Sequence, residues 1–188
     1  MRELLAKTSI RYWLAVTGSC TLVLITAYAM VQQSTRQSAN DLPIATAQTI
    51  KNDLESGTAP TDVVSINKID PSSNNNVFVI VTDSSRHVLA SSVTLDSQTP
   101  LPPDGVFQYT SAHGTDRLTW QPKTGVRIAL FTSTYGSSPN NGFIITGQSL
   151  KPFEDRTSTY GNLAIIAWFA ILAWTTFTLI IPTYTKKP

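Results

Sequence analysis

Two long stretches without a single charged residue constrain this 188-residue chain more than any other feature of its sequence. They run from Tyr12 to Thr35 and from Thr157 to Thr185, and most of their central residues are apolar. A bilayer core about 30 Å thick needs roughly 20 helical residues to cross it. The sequence therefore predicts two transmembrane helices, at residues 12–31 and 161–182.

The first apolar stretch has two alternative interpretations. A cleaved signal peptide would combine the basic N-terminus with a cleavage site at the Ala27–Tyr28–Ala29 triplet. Cys20 raises the alternative of a lipoprotein, but the three residues before it are a poor lipobox and the apolar run continues beyond it. Because the run is longer than the apolar core of a normal signal peptide, an uncleaved anchor is favoured.

The charged residues are distributed unevenly between the ends and the middle of the chain. Residues 1–11 and 183–188 hold five basic residues and one acidic residue, whereas the segment between the two spans holds nine basic and eleven acidic residues. Short flanks rich in Lys and Arg stay on the cytoplasmic side, so we expect two cytoplasmic termini in a cell-membrane protein and an extracytoplasmic domain at 32–160. A charged fraction of only 14% speaks against a strongly basic nucleic-acid-binding protein. The external segment has no cysteine and must fold without disulfide bonds.

The external segment is long enough for one small domain and begins with a predicted helix at Gln32–Ser56. One face of this helix carries residues at a spacing of four: Leu42, Thr46, Ile50 and Leu54. We expect the helix to continue the first membrane helix outward and to bury this face. Pro43 marks either a kink or the true start of the helix.

Five further segments have the composition or alternation of β-strands: Val77–Val81, Val88–Ser92, Arg117–Gln121, Val126–Thr132 and Gly142–Gln148. The first two form a hairpin, and an Asn-Gly pair predicts a hairpin loop at 137–142. Gly105–Ala112 forms a short helix or a strand, and Leu150–Tyr160 forms a helix that leads into the second span. The predicted fold class is α+β, with an antiparallel sheet of about five strands and flanking helices, one of which covers one face.

The hairpin at 77–92 reads VFVIVTDSSRHVLASS, with Asp83 closing the first strand and small residues ending the second. It resembles the hairpin of PAS-like extracytoplasmic sensor domains of the PDC or Cache type. The flanking apolar segments resemble the membrane helices of bacterial sensor kinases and chemoreceptors. The resemblance implies a PAS-like fold and a sensing function. Those receptors continue into an output domain after the second helix, whereas only residues 183–188 follow it here, so we expect any signal to pass through another protein.

Aromatic and cationic residues of the later part of the domain are the candidate ligand-binding residues, because a PAS-like fold would use them to line a pocket between sheet and loops. They are Tyr109, Trp120, Arg127, Phe131 and Tyr135. By strand alternation Arg127 lies opposite Val126 and Ile128, facing either solvent or an anionic ligand. The alternatives are a core position for Trp120 and a surface position for Arg127.

No residue pattern predicts catalysis, a metal site or a cofactor. Neither His87 nor His113 has a second ligand at metal-binding spacing. Ser65 and Lys68 match the S-x-x-K pattern of penicillin-binding enzymes, but the S-D-N element is missing and the domain is too small for that fold. We therefore expect a protein that is not an enzyme. The uncharged spans also argue against a transporter, a channel or a proton path.

Together these patterns predict a sensing or ligand-binding module anchored in the lipid bilayer. It would act through a separate membrane partner such as a sensor kinase or transporter, and it could form a homodimer. The alternative is a structural or accessory envelope protein whose external domain binds a protein or a wall component. An enclosed pocket would favour the first hypothesis, and a filled core with an exposed apolar patch would favour the second.

Overall fold

The computed structural model describes the backbone of residues 2–136 and 141–185, and the side chains of residues 10–136 and 141–179. Its helices are α1 (Arg2–Glu55), α2 (Pro60–Val63), α3 (Asp104–His113) and α4 (Lys151–Thr185). Its strands are β1 (Phe78–Asp83), β2 (Val88–Ser91), β3 (Thr115–Lys123), β4 (Val126–Tyr135) and β5 (Gly142–Ser149). The chain divides into a helix-pair unit, Met1–Thr35 with Asp155–Pro188, and a sheet unit, Arg36–Glu154.

The five strands form one antiparallel sheet in the order β2-β1-β5-β4-β3. This confirms the predicted α+β class and the five predicted strands. Strand β1 lies between two neighbours and is buried from Phe78 to Thr82, as its run of β-branched and aromatic residues predicts. The predicted β1–β2 hairpin is also present. Most of the predicted loop at 137–142 lies outside the described residues, and its flanking residues Tyr135 and Gly142 are paired.

The sheet is packed on both faces: α1 covers one face, as predicted, and α3 covers the other, which the sequence did not predict. One core joins the strands to α3 and contains Phe78, Ile80, Phe107, Ile128, Leu130 and Ile145. The other joins the strands to α1 and contains Ala47, Ile50, Val79, Val81, Phe131 and Ile144. The second layer could not be predicted because the short apolar pattern of Gly105–Ala112 fits a helix and a strand equally well. The structure makes it a helix, and its Thr110 hydroxyl lies 2.8 Å from the Thr132 hydroxyl.

Helix α1 is continuous, so Pro43 lies inside it and does not mark its start. The face that packs on the sheet also differs from the prediction: Pro43 and Ala47 are buried, whereas Leu42 is 54% exposed. Small residues allow the helix backbone to approach the sheet closely, and the Thr146 hydroxyl donates a 2.8 Å hydrogen bond to the Pro43 carbonyl. The spacing of the largest side chains therefore predicted a neighbouring face of α1. Of the four residues on that predicted face, Ile50 alone is buried.

The helix-pair unit contains two helices that are long and apolar enough to cross a membrane. As predicted, the helix that begins near Leu150 continues without a break into the second apolar stretch. The two helices contact each other through small and hydroxylated residues, which is typical of helices that pack in a bilayer. The Trp168 indole N–H donates a 3.0 Å hydrogen bond to the Thr21 hydroxyl. About two turns away from this pair, a β-carbon on Gly161 would lie 3.3 Å from the Tyr28 ring.

Candidate functional site

The five predicted ligand-binding residues do not converge on one pocket. Phe131 and Tyr135 belong to the core on the α1 face of the sheet, whereas Trp120 packs against the core on the opposite face. Tyr109 is half exposed on α3, and Arg127 is exposed on β4. Tyr135 lines two adjacent clefts of the sheet unit, which makes it the starting point for a candidate site.

Three of these residues contact neighbouring side chains. Arg127 forms an ion pair with Glu154 in the first turn of α4, and its side chain is about half exposed. The Tyr109 ring stacks on His113 with the ring centroids 4.0 Å apart. Trp120 is partly buried against the α3-side core. These three positions correspond to surface and core packing rather than to a shared binding site.

Tyr135 combines a buried ring with a hydrogen bond to the neighbouring strand. The side chain is 8% exposed, and its hydroxyl donates a 3.2 Å hydrogen bond to the Thr82 carbonyl. Burial raises the pKa of the Tyr135 phenol above its ordinary value, and the negative charge of Asp83 raises it further. The phenol therefore stays neutral at physiological pH and acts as a hydrogen-bond donor.

The larger cleft beside Tyr135 lies where the C-terminal end of α1 meets the ends of the strands, and we name it the α1-end cleft. Its volume is about 390 Å³, within the usual range for small-molecule sites. It is lined by Leu54, Gly57, Thr58, Ala59, Pro60, Asp83, Leu89, Tyr135 and Asn141. Apolar side chains, a hydroxyl, an amide and one carboxylate thus surround the same space.

One wall of the α1-end cleft is the last turn of α1 and the segment that follows it. The helix ends because Gly57 adopts φ +96°, a left-handed conformation that glycine reaches without strain. The Gly57 N–H then bonds to the Leu54 carbonyl at 3.1 Å, and the Thr58 N–H bonds to the Asp53 carbonyl at 3.0 Å. These bonds fix Thr58 and the beginning of α2 at the edge of the cleft.

Another part of the lining is Asp83 at the end of β1 and Leu89 on β2, on either side of a turn that Asp83 organises. Asp83 Oδ1 accepts a 2.8 Å hydrogen bond from the His87 backbone N–H, and Oδ2 lies 3.1 Å from the His87 Nδ1. Arg86 adopts φ +71° in this turn and pairs with Asp104 at 2.5 Å. Desolvation raises the pKa of Asp83, but the hydrogen bonds from His87 outweigh it and lower the pKa below its ordinary value. Asp83 is therefore ionised at neutral pH.

A second, smaller cleft of about 210 Å³ shares Tyr135 and Asn141 with the first. Gly142 lies in its wall, at a point where two strands approach closely. A β-carbon there would lie 2.0 Å from the Thr82 carbonyl oxygen, so glycine is required at this position. In the sequence, the Asn-Gly pair suggested only a turn.

Sequence reasoning identified Tyr135 but missed most of the residues around it. From the sequence, Leu54 is predicted only as a residue on a helix face. Asp83 is predicted only as the end of a strand, and Leu89 only as part of a hairpin. A cleft built from segments so far apart in the chain leaves no local pattern. No protein-family model and no curated protein matches this sequence.

Proposed function

We propose that this chain is a membrane-anchored, extracytoplasmic sensing or ligand-binding module that acts through a separate membrane partner. The observation that carries the proposal is the presence of two long apolar helices on either side of one sheet domain in the chain. Different features of the molecule support the four parts of this proposal, which are membrane anchoring, the location of the domain, ligand sensing and the partner.

Membrane anchoring is supported by the surface of the helix-pair unit. Leu22, Val23 and Trp174 are each 67% exposed, and other large apolar side chains of both helices are similarly exposed. Water-soluble proteins rarely expose so much contiguous apolar surface, whereas lipid tails solvate it well. The basic flanks support a topology with both termini in the cytoplasm and the sheet unit outside.

Ligand sensing is supported by the layout of the sheet unit and by the α1-end cleft. A helix, a hairpin and three further antiparallel strands follow one another as the resemblance to PAS-like sensor domains implies. Helix α1 packs on the sheet through Ala47 and Ile50, lines the cleft through Leu54, and also carries the first apolar stretch. A ligand that changes the packing of α1 would therefore act on the element that we propose enters the membrane.

The partner would pack against the outward apolar faces of the two helices. A photo-crosslinking amino acid at Phe169, which is 60% exposed, should give adducts with another membrane protein in the source cells. The same amino acid at Ala164, which is partly buried, is the matched control and should give far fewer adducts. The absence of any protein adduct at Phe169, Leu22 and Trp174 would contradict a membrane partner, and adducts between two copies of this chain would replace it by a homodimer.

A structural or accessory envelope protein is the second candidate function, and the filled core favours it. Both faces of the sheet are packed, and both clefts beside Tyr135 are open to solvent. Ile66 is 93% exposed in a loop of the sheet unit and could contact a protein or a wall component. Saturable binding of a small molecule in the α1-end cleft would decide for the sensing function.

A further inference from the structure

The α1-end cleft has an electrostatic character that indicates what kind of molecule would bind there. Asp83 is the one charged side chain among the described residues that line it. The cleft also lies at the C-terminal end of α1, where the aligned peptide dipoles of a helix produce a partial negative charge. A helix end of this kind is usually compensated by a basic residue, but the last turn of α1 contains none.

The neighbouring charges leave this negative character in place. Glu55 ends α1, accepts a hydrogen bond from the Gly136 N–H at 3.3 Å and pairs only distantly with Lys51, at 3.8 Å. Asp62 adds a carboxylate to the first turn of α2. Arg86, the nearest guanidinium in the β1–β2 turn, is paired with Asp104. Groups near the cleft are therefore predominantly acidic.

The remaining lining residues provide apolar and aromatic contacts that suit a small organic cation. Leu54, Pro60 and Leu89 provide apolar contacts, and the buried Tyr135 provides an aromatic ring of the kind that attracts cations. The His87 ring, which contacts Asp83, is 80% exposed, so little of its surface is held by packing and it could move into solvent. An arriving cation could then take its place at the carboxylate.

We propose that the α1-end cleft binds a small organic cation, a primary ammonium group on a short alkyl chain, with Asp83 as its counter-ion. This inference rests on the proposed function of the sheet unit as a ligand-binding module and names the class of ligand. The ammonium group lies at Asp83 near the end of α1, and the alkyl chain contacts Leu54 and Leu89.

The test uses the full chain in lipid nanodiscs and three four-carbon probes of similar size: butylammonium, butyrate and 1-butanol. Saturation-transfer NMR should show saturable binding of butylammonium that exceeds binding to empty nanodiscs, and no comparable binding of butyrate or 1-butanol. Asp83→Asn keeps an oxygen that can accept the His87 N–H, and it should weaken butylammonium binding at least tenfold. Leu89→Trp should also abolish binding, because it fills the cleft while leaving the charge in place.

Asp96→Asn is the matched control, since it removes a carboxylate that pairs with Lys123 and does not line the cleft. Wild-type affinity in this variant, with tenfold weaker binding in Asp83→Asn, would support the proposal. Equal losses in both variants, or no loss in Asp83→Asn, would overturn it. Butyrate binding that Leu89→Trp abolishes would refute the cation but preserve the ligand-binding function. Failure of all three probes to bind would refute the inference, and it would favour the accessory function over sensing.

Discussion

The sheet unit and the helix-pair unit differ in the exposure of their large apolar side chains. Phe78, Ile80 and Ile144 have no exposed surface in the sheet unit, whereas Leu22 and Phe169 of the helix-pair unit are 67% and 60% exposed. Removal of apolar surface from water is the main force that stabilises the first arrangement. It cannot explain the second. In the membrane location that we propose, lipid replaces water around these side chains, and packing and hydrogen bonds hold the helices together.

The largest expected effect comes from truncating the sheet core. Phe78→Ala should lower the free energy of unfolding of the sheet unit by about 3–5 kcal/mol, because Phe78 is fully buried and leaves a cavity. Phe169→Ala removes the same atoms from an exposed position on α4 and should change that free energy by less than about 0.5 kcal/mol. Urea unfolding of the full chain in detergent, followed by circular dichroism, measures both. Equal losses would show that the two units are stabilised in the same way.

A charge placed on the helix-pair unit tests the same contrast from the membrane side. Leu22→Arg should oppose insertion by about 3 kcal/mol, since arginine near the centre of a membrane helix is costly. Leu42→Arg, at a position 54% exposed in the sheet unit, should have no effect on insertion. The carbonate-resistant fraction of the protein in membranes is the measurement. Undiminished insertion of Leu22→Arg would contradict the transmembrane assignment of α1.

Two glycines of the sheet unit should respond to alanine in opposite directions. Gly142→Ala places a β-carbon 2.0 Å from the Thr82 carbonyl oxygen and should destabilise the sheet by about 1–3 kcal/mol. Gly105→Ala has open space around it in the first turn of α3 and should stabilise the fold by about 0.5–1 kcal/mol. Thermal unfolding distinguishes the two, and an equally stable Gly142→Ala variant would mean that the strands are not as close as described.

A smaller effect is expected at the hydrogen bond between the two helices. Trp168→Phe removes the indole donor to Thr21 and should weaken the helix pair by about 0.6 kcal/mol, the average for such bonds in membrane proteins. Trp174→Phe changes an exposed tryptophan and should have no effect. Unfolding of the helix pair in mixed detergent micelles provides the comparison. A larger loss of helix-pair stability in Trp174→Phe than in Trp168→Phe would mean that α4 contacts α1 through a different face from the one described.

The smallest expected effect is a pH dependence in the β1–β2 turn. Because the pKa of Asp83 is lower in the folded protein than in the unfolded chain, its contribution to stability is present above the unfolded pKa of about 3.9. The contribution disappears as the pH falls through the lower folded value. The stability difference between wild type and Asp83→Asn should therefore persist down to about pH 4 and shrink below it. A difference that grows on acidification would mean that the pKa shift has the opposite sign.

Local patterns were sufficient to predict the strands, the hairpin and both long helices. Strand β1 could be predicted because β-branched and aromatic residues occupy every position from Phe78 to Val81, and the long helices because uncharged apolar stretches are rare elsewhere. The sheet-facing side of α1 could not be predicted in this way. It includes the small residue Ala47, which periodicity alone does not distinguish from residues of the neighbouring face.

The candidate site was predicted only in part, because it depends on contacts between distant segments. Tyr135 was selected as an aromatic residue of a late strand, but its cleft is formed with Leu54 of α1 and Asp83 of β1. Arg127 was selected by strand alternation, which gives no sign of its ion pair with Glu154 at the start of α4. Side-chain partners that are far apart in sequence cannot be read from the spacing of residues in one strand.

We propose that the sheet unit lies outside the cell membrane while the two apolar helices span it, and every other proposal depends on this topology. Cysteine labelling in intact cells tests this directly, in a variant whose native Cys20 is replaced by serine. Ile66→Cys, at a position 93% exposed in the sheet unit, should react with a membrane-impermeant maleimide in intact cells. Lys186→Cys, in the basic flank, should react only after the membrane is permeabilised. Labelling of Lys186→Cys but not Ile66→Cys in intact cells would contradict the proposed topology, and labelling of neither would place the whole chain inside the cell.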